Sequence, residues 1–198
     1  IVGIIVKLEE MKNQIVQALG ENLMCLFFSG SRSREDEMKE SDYDFIAIVS
    51  KLDEERIRKM QEAFRNLIGV SIYVLDKDDL ETMPKAKFLE FEHAKILYGA
   101  FEYTLPSRKD VKDYVSFCCR ERLDTIRHYL VLPHSQEKTS IILYPSLKRA
   151  FLYLSYLVYA ETGKLPMTRK DLIAYLERTG SNKQWINIMK ILDDWDSC

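Results

Sequence analysis

Apolar residues recur at spacings of three and four from Ile5 through Leu8, Met11 and Ile15 to Leu19. Residues 4–19 are therefore expected to form an amphipathic helix. A short apolar run, Leu23 to Phe28, follows and ends at Ser29-Gly30-Ser31. Its length and its exit predict a buried strand leaving into a tight turn. After a polar stretch, residues 42–49 (DYDFIAIV) begin polar and become wholly apolar, which predicts a second buried strand. Residues 52–68 carry Ile57, Met60, Phe64 and Leu67 on one helical face, with Asp53 placed to cap the helix and Gly69 to stop it. Val70 to Leu75 reads as a third strand, residues 76–81 as a polar turn, residues 88–94 as a short helix and residues 96–99 as a fourth, shorter strand. Helices that alternate with short strands make a sheet covered by helices.

From Ser107 onward the pattern changes, and no strand-like alternation is evident. Residues 108–132 predict a long helix. Residues 141–162 predict another, whose stretch FLYLSYLVYA is apolar on nearly all sides, as a central buried helix would be. Thr168 is placed to cap a third helix over 171–178 that ends near Gly180, and residues 184–194 predict a fourth. The expected fold class is α+β: a small mixed sheet with helices over residues 1–104, then an all-α four-helix bundle over residues 107–198.

Charge sharpens that division. Residues 1–106 hold 14 basic and 20 acidic residues, net −6, whereas residues 107–198 hold 15 and 11, net +4. Overall the formal charge is only −2, so nothing global points to nucleic acid or membrane. No run reaches the roughly 18 apolar residues of a membrane helix. The four cysteines, Cys25, Cys118, Cys119 and Cys198, have neither disulfide-framework nor zinc spacing. Reduced thiols in a cytoplasmic protein are expected.

The chemistry concentrates in FSGSRSREDEMKESDYDFIAIV, residues 28–49. Gly30 follows a buried strand where a Cβ would obstruct close approach of a ligand to the backbone. Ser31 adds a hydroxyl, and backbone N–H groups at such a turn attract phosphate. Asp42 and Asp44 are two apart at the start of a strand, so both carboxylates share a face. Like charges that close repel unless a cation lies between them. Hard oxygen ligands suit Mg²⁺, which bridges protein carboxylates and substrate phosphates. Arg32 and Arg34 follow the turn and are candidates for triphosphate contact, or for pairing with Glu35, Asp36 and Glu37.

Gly30, Ser31, ten intervening residues, then Asp42 and Asp44 preceded by Ser41: this segment resembles the nucleotidyltransferase superfamily related to DNA polymerase beta, in its minimal and kanamycin nucleotidyltransferase types. The resemblance covers roughly residues 4–100. It implies that Asp42 and Asp44 hold Mg²⁺ and that Gly30 and Ser31 hold the phosphates of an NTP, with Arg32 and Arg34 nearby. It also implies a third carboxylate on the next strand, VSIYVL. There the positions facing the site are Ser71 and Tyr73, neither of them acidic, and Asp76 has the opposite parity. Glu121 and Asp124, three apart on the first helix of the second half, are the substitutes the sequence offers.

An α/β nucleotidyltransferase followed by a helical bundle resembles the kanamycin nucleotidyltransferase arrangement, in which the helical part helps form the acceptor site. Tyr153, Tyr156 and Tyr159 recur at threes, fit for core packing or for a ring-lined acceptor pocket. Arg122 and His128 enclose five residues and resemble the pattern of helical ribonucleases in which about four to six residues separate Arg from His, but six positions along a helix put them about 120° apart, a poor shared site. His93 and His134 lie in no recognisable ligand spacing.

The reading is an Mg²⁺-dependent nucleotidyltransferase moving an NMP, AMP from ATP first among the donors, to an acceptor hydroxyl with release of pyrophosphate. The partners expected are the NTP and a small-molecule or protein acceptor, with a second copy of the chain also a candidate. Membrane and nucleic acid are not expected. The alternative, motivated by the missing third acid, is a catalytically impaired nucleotide-binding or protein-interaction module of the antitoxin kind.

Overall fold

Strand β1 (Leu23–Ser29) runs down the middle of a four-stranded sheet because its residues are buried from both sides. The computed structural model describes residues 2–34, 41–65, 69–131, 136–180 and 183–195. Expectations on Glu35, Asp36, Glu37, Leu67, His134 and Cys198 lie outside these residues.

The sheet order is β3-β2-β1-β4, with β2 over Tyr43–Val49, β3 over Val70–Leu75 and β4 over Lys95–Gly99. β1 pairs antiparallel with β2 and with β4, whereas β2 and β3 are parallel. The sheet is therefore mixed. A parallel neighbour needs a crossover, and α3 (Glu54–Phe64) supplies it. Asp53 caps α3 by accepting from the Arg56 N–H.

Period two separates the two faces. Leu26, Phe28, Tyr43, Phe45, Ala47 and Val49 pack with Met11, Ile15 and Leu19 of α1 (Val2–Leu19) and with Met60 of α3. The opposite face carries Phe27, which stacks on Phe91 with ring centroids 4.9 Å apart, and Phe91 in turn meets Phe101 and Tyr103 edge-on. β2 shows no polar alternation because both faces are covered; Asp44 alone in that strand is not buried.

Two expectations change in detail. Residues 76–81 are not a turn. Asp76 and Asp79 form a reciprocal capping box that starts a helix, α4 (Lys77–Thr82). The short helix expected over 88–94 is a 3₁₀ turn at Lys85–Phe88 followed by α5 (Leu89–Glu92).

The chain divides into two compact units, Ile1–Met83 with Glu90–Thr104, and Pro84–Leu89 with Leu105–Cys198. The second is helical: α6 (Arg108–Val131), α7 (Gln136–Thr162), α8 (Arg169–Arg178) and α9 (Lys183–Trp195). α7 explains its all-round apolarity by serving two cores. Tyr156 and Ala160 join Val111 and Val115 of α6, while Phe151, Leu154 and Val158 join Leu172 and Leu176 of α8 and Met189 of α9. Among the described residues, no helix is long and apolar enough to cross a membrane.

Candidate functional site

β1 leaves the sheet at the point where β2 enters it. Ser29 is the register partner of Asp44, and its Oγ donates to the Asp44 carbonyl at 3.3 Å. Gly30 then opens a single helical turn, α2 (Gly30–Ser33), with φ +74°. A Cβ at Gly30 would land in the Asp44 carboxylate, so only glycine lets the turn lie this close to it. The turn and the carboxylate are thus packed against each other, so the space freed at Gly30 is taken by Asp44.

Asp42 sits one residue ahead of β2 and is exposed; Asp44 is half-buried. Gly69 flanks them with φ +70°: its carbonyl accepts from the Tyr43 N–H at 2.8 Å, and a Cβ there would lie 3.6 Å from Asp42 Oδ1. In the parallel register Ser71 is opposite Asp44 and Tyr73 opposite Ile46, and both β3 side chains are exposed. β3 thus offers a hydroxyl and a phenol beside Asp44, and Asp76 is spent as the cap of α4. Among the described residues, no three His, Cys, Asp or Glu side chains gather as a metal-holding group. Glu121 and Asp124 are both exposed on α6 of the helical unit, and Asp124 pairs with Arg127 at 3.4 Å.

Ser31 and Arg32 tie the turn to the approach of β2. The Ser31 and Ser41 hydroxyls are 3.1 Å apart, and Arg32 Nε donates to the Ser41 carbonyl at 2.6 Å. The Arg32 guanidinium lies over the Tyr43 ring, 4.6 Å from its centroid, a cation–π contact. Arg32 therefore braces the two ends of the intervening segment. Arg34 closes the turn, its N–H donating to the Ser31 carbonyl at 3.2 Å.

Ser33 and His93 escape a sequence reading. The Ser33 hydroxyl lies 2.9 Å from the Gly30 carbonyl and 2.9 Å from the His93 carbonyl, with both residues buried. One hydroxyl hydrogen shared between two carbonyls pins the turn to the backbone preceding β4. Nothing in a serine set among charged residues announces this, because the acceptor is a backbone group 60 positions away.

Burial dominates the titration behaviour nearby. It pushes the Cys25 thiol up to about 11. Burial, and then the 2.6 Å hydrogen bond to Glu92, raise Tyr103 above the usual phenol range. A cavity of about 370 Å³ between α3 and β3 is lined by Ile57, Met60, Phe64, Val70, Ile72 and Val74, with Gln61 and Arg65 also on its wall. It opens on the sheet face away from Asp44, so it is separate from the Gly30 turn.

No family model and no curated protein matches the chain. Among solved structures, it is similar to the spectinomycin adenyltransferase AAD(9) from Enterococcus faecialis, solved with ATP and spectinomycin. That similarity has a TM-score of 0.54 at 14% identity, over 93% of this chain and 88% of that one. A toxin-antitoxin solved with AMP-PNP matches 60% of this chain and 94% of its own, at 19% identity and a TM-score of 0.32. The mixed sheet, the helical unit that follows, and the near full-length match agree: the chain shares the fold of this adenyltransferase, a nucleotidyltransferase fold with a C-terminal helical unit.

Proposed function

We propose that this protein transfers a nucleoside monophosphate from an NTP, with ATP as the donor, to an acceptor hydroxyl. The observation that carries the reading is the packing of Gly30 against Asp44, with Asp42 two residues earlier on the chain entering the same strand. Support for the donor comes from the fold neighbour solved with ATP.

The residues fit a magnesium ion in kind. Asp42 and Asp44 are hard oxygen donors, one exposed and one half-buried, and Mg²⁺ takes one or two protein carboxylates together with substrate phosphates and water. When bound, the ion neutralises charge on the transferring group and orients it. The chain's own residues do the rest. Gly30 lets the turn lie against the Asp44 carboxylate, and the Ser31 hydroxyl and the turn N–H groups hold the β- and γ-phosphates. Arg32, braced on Ser41 and Tyr43, keeps the turn in place. The acceptor oxygen bonds to the α-phosphorus and its hydroxyl proton passes to solvent water. The bond from that phosphorus to the bridging oxygen breaks, and pyrophosphate leaves.

Calorimetry of the four NTPs with Mg²⁺, followed by pyrophosphate release with aminoglycoside and protein acceptors, tests the proposal. Wild type is expected to bind ATP only with Mg²⁺, and Asp42→Asn to lower transfer at least about 100-fold. Transfer within tenfold of wild type in Asp42→Asn would sink the assignment. Nucleotide binding without pyrophosphate release from any acceptor would favour an impaired binding module, the reading that Ser71 and Tyr73 in place of an acid support.

A further inference from the structure

The sheet has two edges, and they are built differently. β4 carries a lysine at its start, a glycine at its end and a break in register where it meets Leu26 and Phe27 of β1. A charge and a bulge of this kind keep another strand from adding to an edge. β3 (VSIYVL) holds no charged residue, no proline and no glycine, and it follows β2 in unbroken register from Tyr43 with Val70 to Ile48 with Leu75. Among the described residues, β2 is its only strand partner. β3 is thus a regular edge of high strand propensity, the kind to which a further strand adds through backbone hydrogen bonds.

Beside this edge lies the groove under α3. Val70, Ile72 and Val74 share a parity and form one half-buried apolar row along it, and Ile57, 38% exposed, stands on its wall. The occupant that suits both the edge and the groove is a second copy of the chain. A two-fold axis normal to the sheet pairs β3 antiparallel with itself. Opposite residues then have equal parity, so the apolar row of one copy runs on into that of the other, on the same face. The same axis sets the two α3 helices side by side and antiparallel. α3 reaches over both strands: Met60 packs with the β2 residues Tyr43, Phe45 and Ala47, while Ile57 lines the groove with β3. Strands about 4.8 Å apart then bring the two helix axes to about 10 Å, a packing distance. Charge agrees with this order. α3 opens with Glu54 and Glu55 and ends at Arg65, which lies on the groove wall. Antiparallel helices set the acidic start of one beside the basic end of the other.

We propose that two copies of this chain associate by antiparallel pairing of β3 with β3, which joins their four-stranded sheets into one and closes the two α3 grooves on each other. The interface does not depend on the transfer reading, since it uses none of Gly30, Ser31, Asp42 or Asp44.

Sedimentation velocity of the full chain from about 1 to 100 μM tests the association, because an interface of one strand and one helix per copy is a small one. The mass is expected to rise from one chain to two. Hydrogen exchange at the two ends of that range is expected to show the β3 amides more protected in the dimer and the β4 amides unchanged. Ile57→Lys puts a charge at an exposed position of the groove wall, so the melting temperature of the monomer is expected to hold while the dissociation constant rises at least about tenfold. Arg65→Glu, at a fully exposed position, is expected to weaken association as well, and Glu54→Lys added to it to restore part of the loss. A monomer at every concentration overturns the proposal and leaves the groove to a different occupant. A dimer whose β3 amides gain no protection, or one that both Ile57→Lys and Arg65→Glu leave as tight as wild type, overturns it too.

Discussion

A methyl group at Gly30 would have two effects that can be separated. The left-handed φ of +74° disfavours alanine by about 1–2 kcal/mol, and the Asp44 carboxylate would have to move aside. Gly30→Ala is expected to lower thermal stability modestly but transfer by about 100-fold or more, because it displaces a group the proposed chemistry needs. Melting and pyrophosphate release on the same preparation check this. Ser33→Ala removes a buried hydroxyl and leaves two carbonyls short of a donor, which costs about 1–3 kcal/mol. Because Ser33 positions the turn rather than touching phosphate, KM for the NTP is expected to rise more than kcat falls. Steady-state kinetics at fixed acceptor measure that split.

Three helices start from the same local device. Asp76 with Asp79 begins α4, Ser107 with Asp110 begins α6, and Thr168 with Asp171 begins α8, each a cap residue and an aspartate three positions on that satisfy one another's N–H groups. Such starts are legible in sequence because all partners lie within one turn; residues 76–81 read as a turn only when the pattern is weighed by polarity alone. Thr168→Ala is expected to destabilise by about 1 kcal/mol, measured by urea denaturation, with no effect on nucleotide binding. The edges of α3 and β3 show the opposite case. Ile57 belongs to the apolar period of α3 yet is 38% exposed, because β3 is an edge strand and leaves a groove beneath it.

For the molecule as a whole, the capping carboxylates set an acid limit. The Arg56 N–H holds Asp53 below the ordinary 3.8, and the Ser107 hydroxyl and N–H do the same for Asp110. A carboxylate depressed on folding contributes stability that is complete above its unfolded value and is lost as pH falls through its folded value. The melting temperature is thus expected to fall below about pH 4. Asp110→Asn, whose side-chain oxygen still accepts, is expected to differ from wild type at neutral pH and to converge with it in acid. A constant difference across the titration would refute that role. The sequence by itself determined the strands, the long helices and their caps, and the change from strand-like to helical pattern in the second half, since each rests on periodicity or on contacts within a few residues. Only the tertiary structure decided that β3 runs parallel beside β2 with Ser71 in register with Asp44, that a Cβ at Gly30 would meet the Asp44 carboxylate, and that Ser33 reaches His93. Those facts depend on strand order and on contacts between residues 14 to 60 positions apart, and no local pattern carries that information.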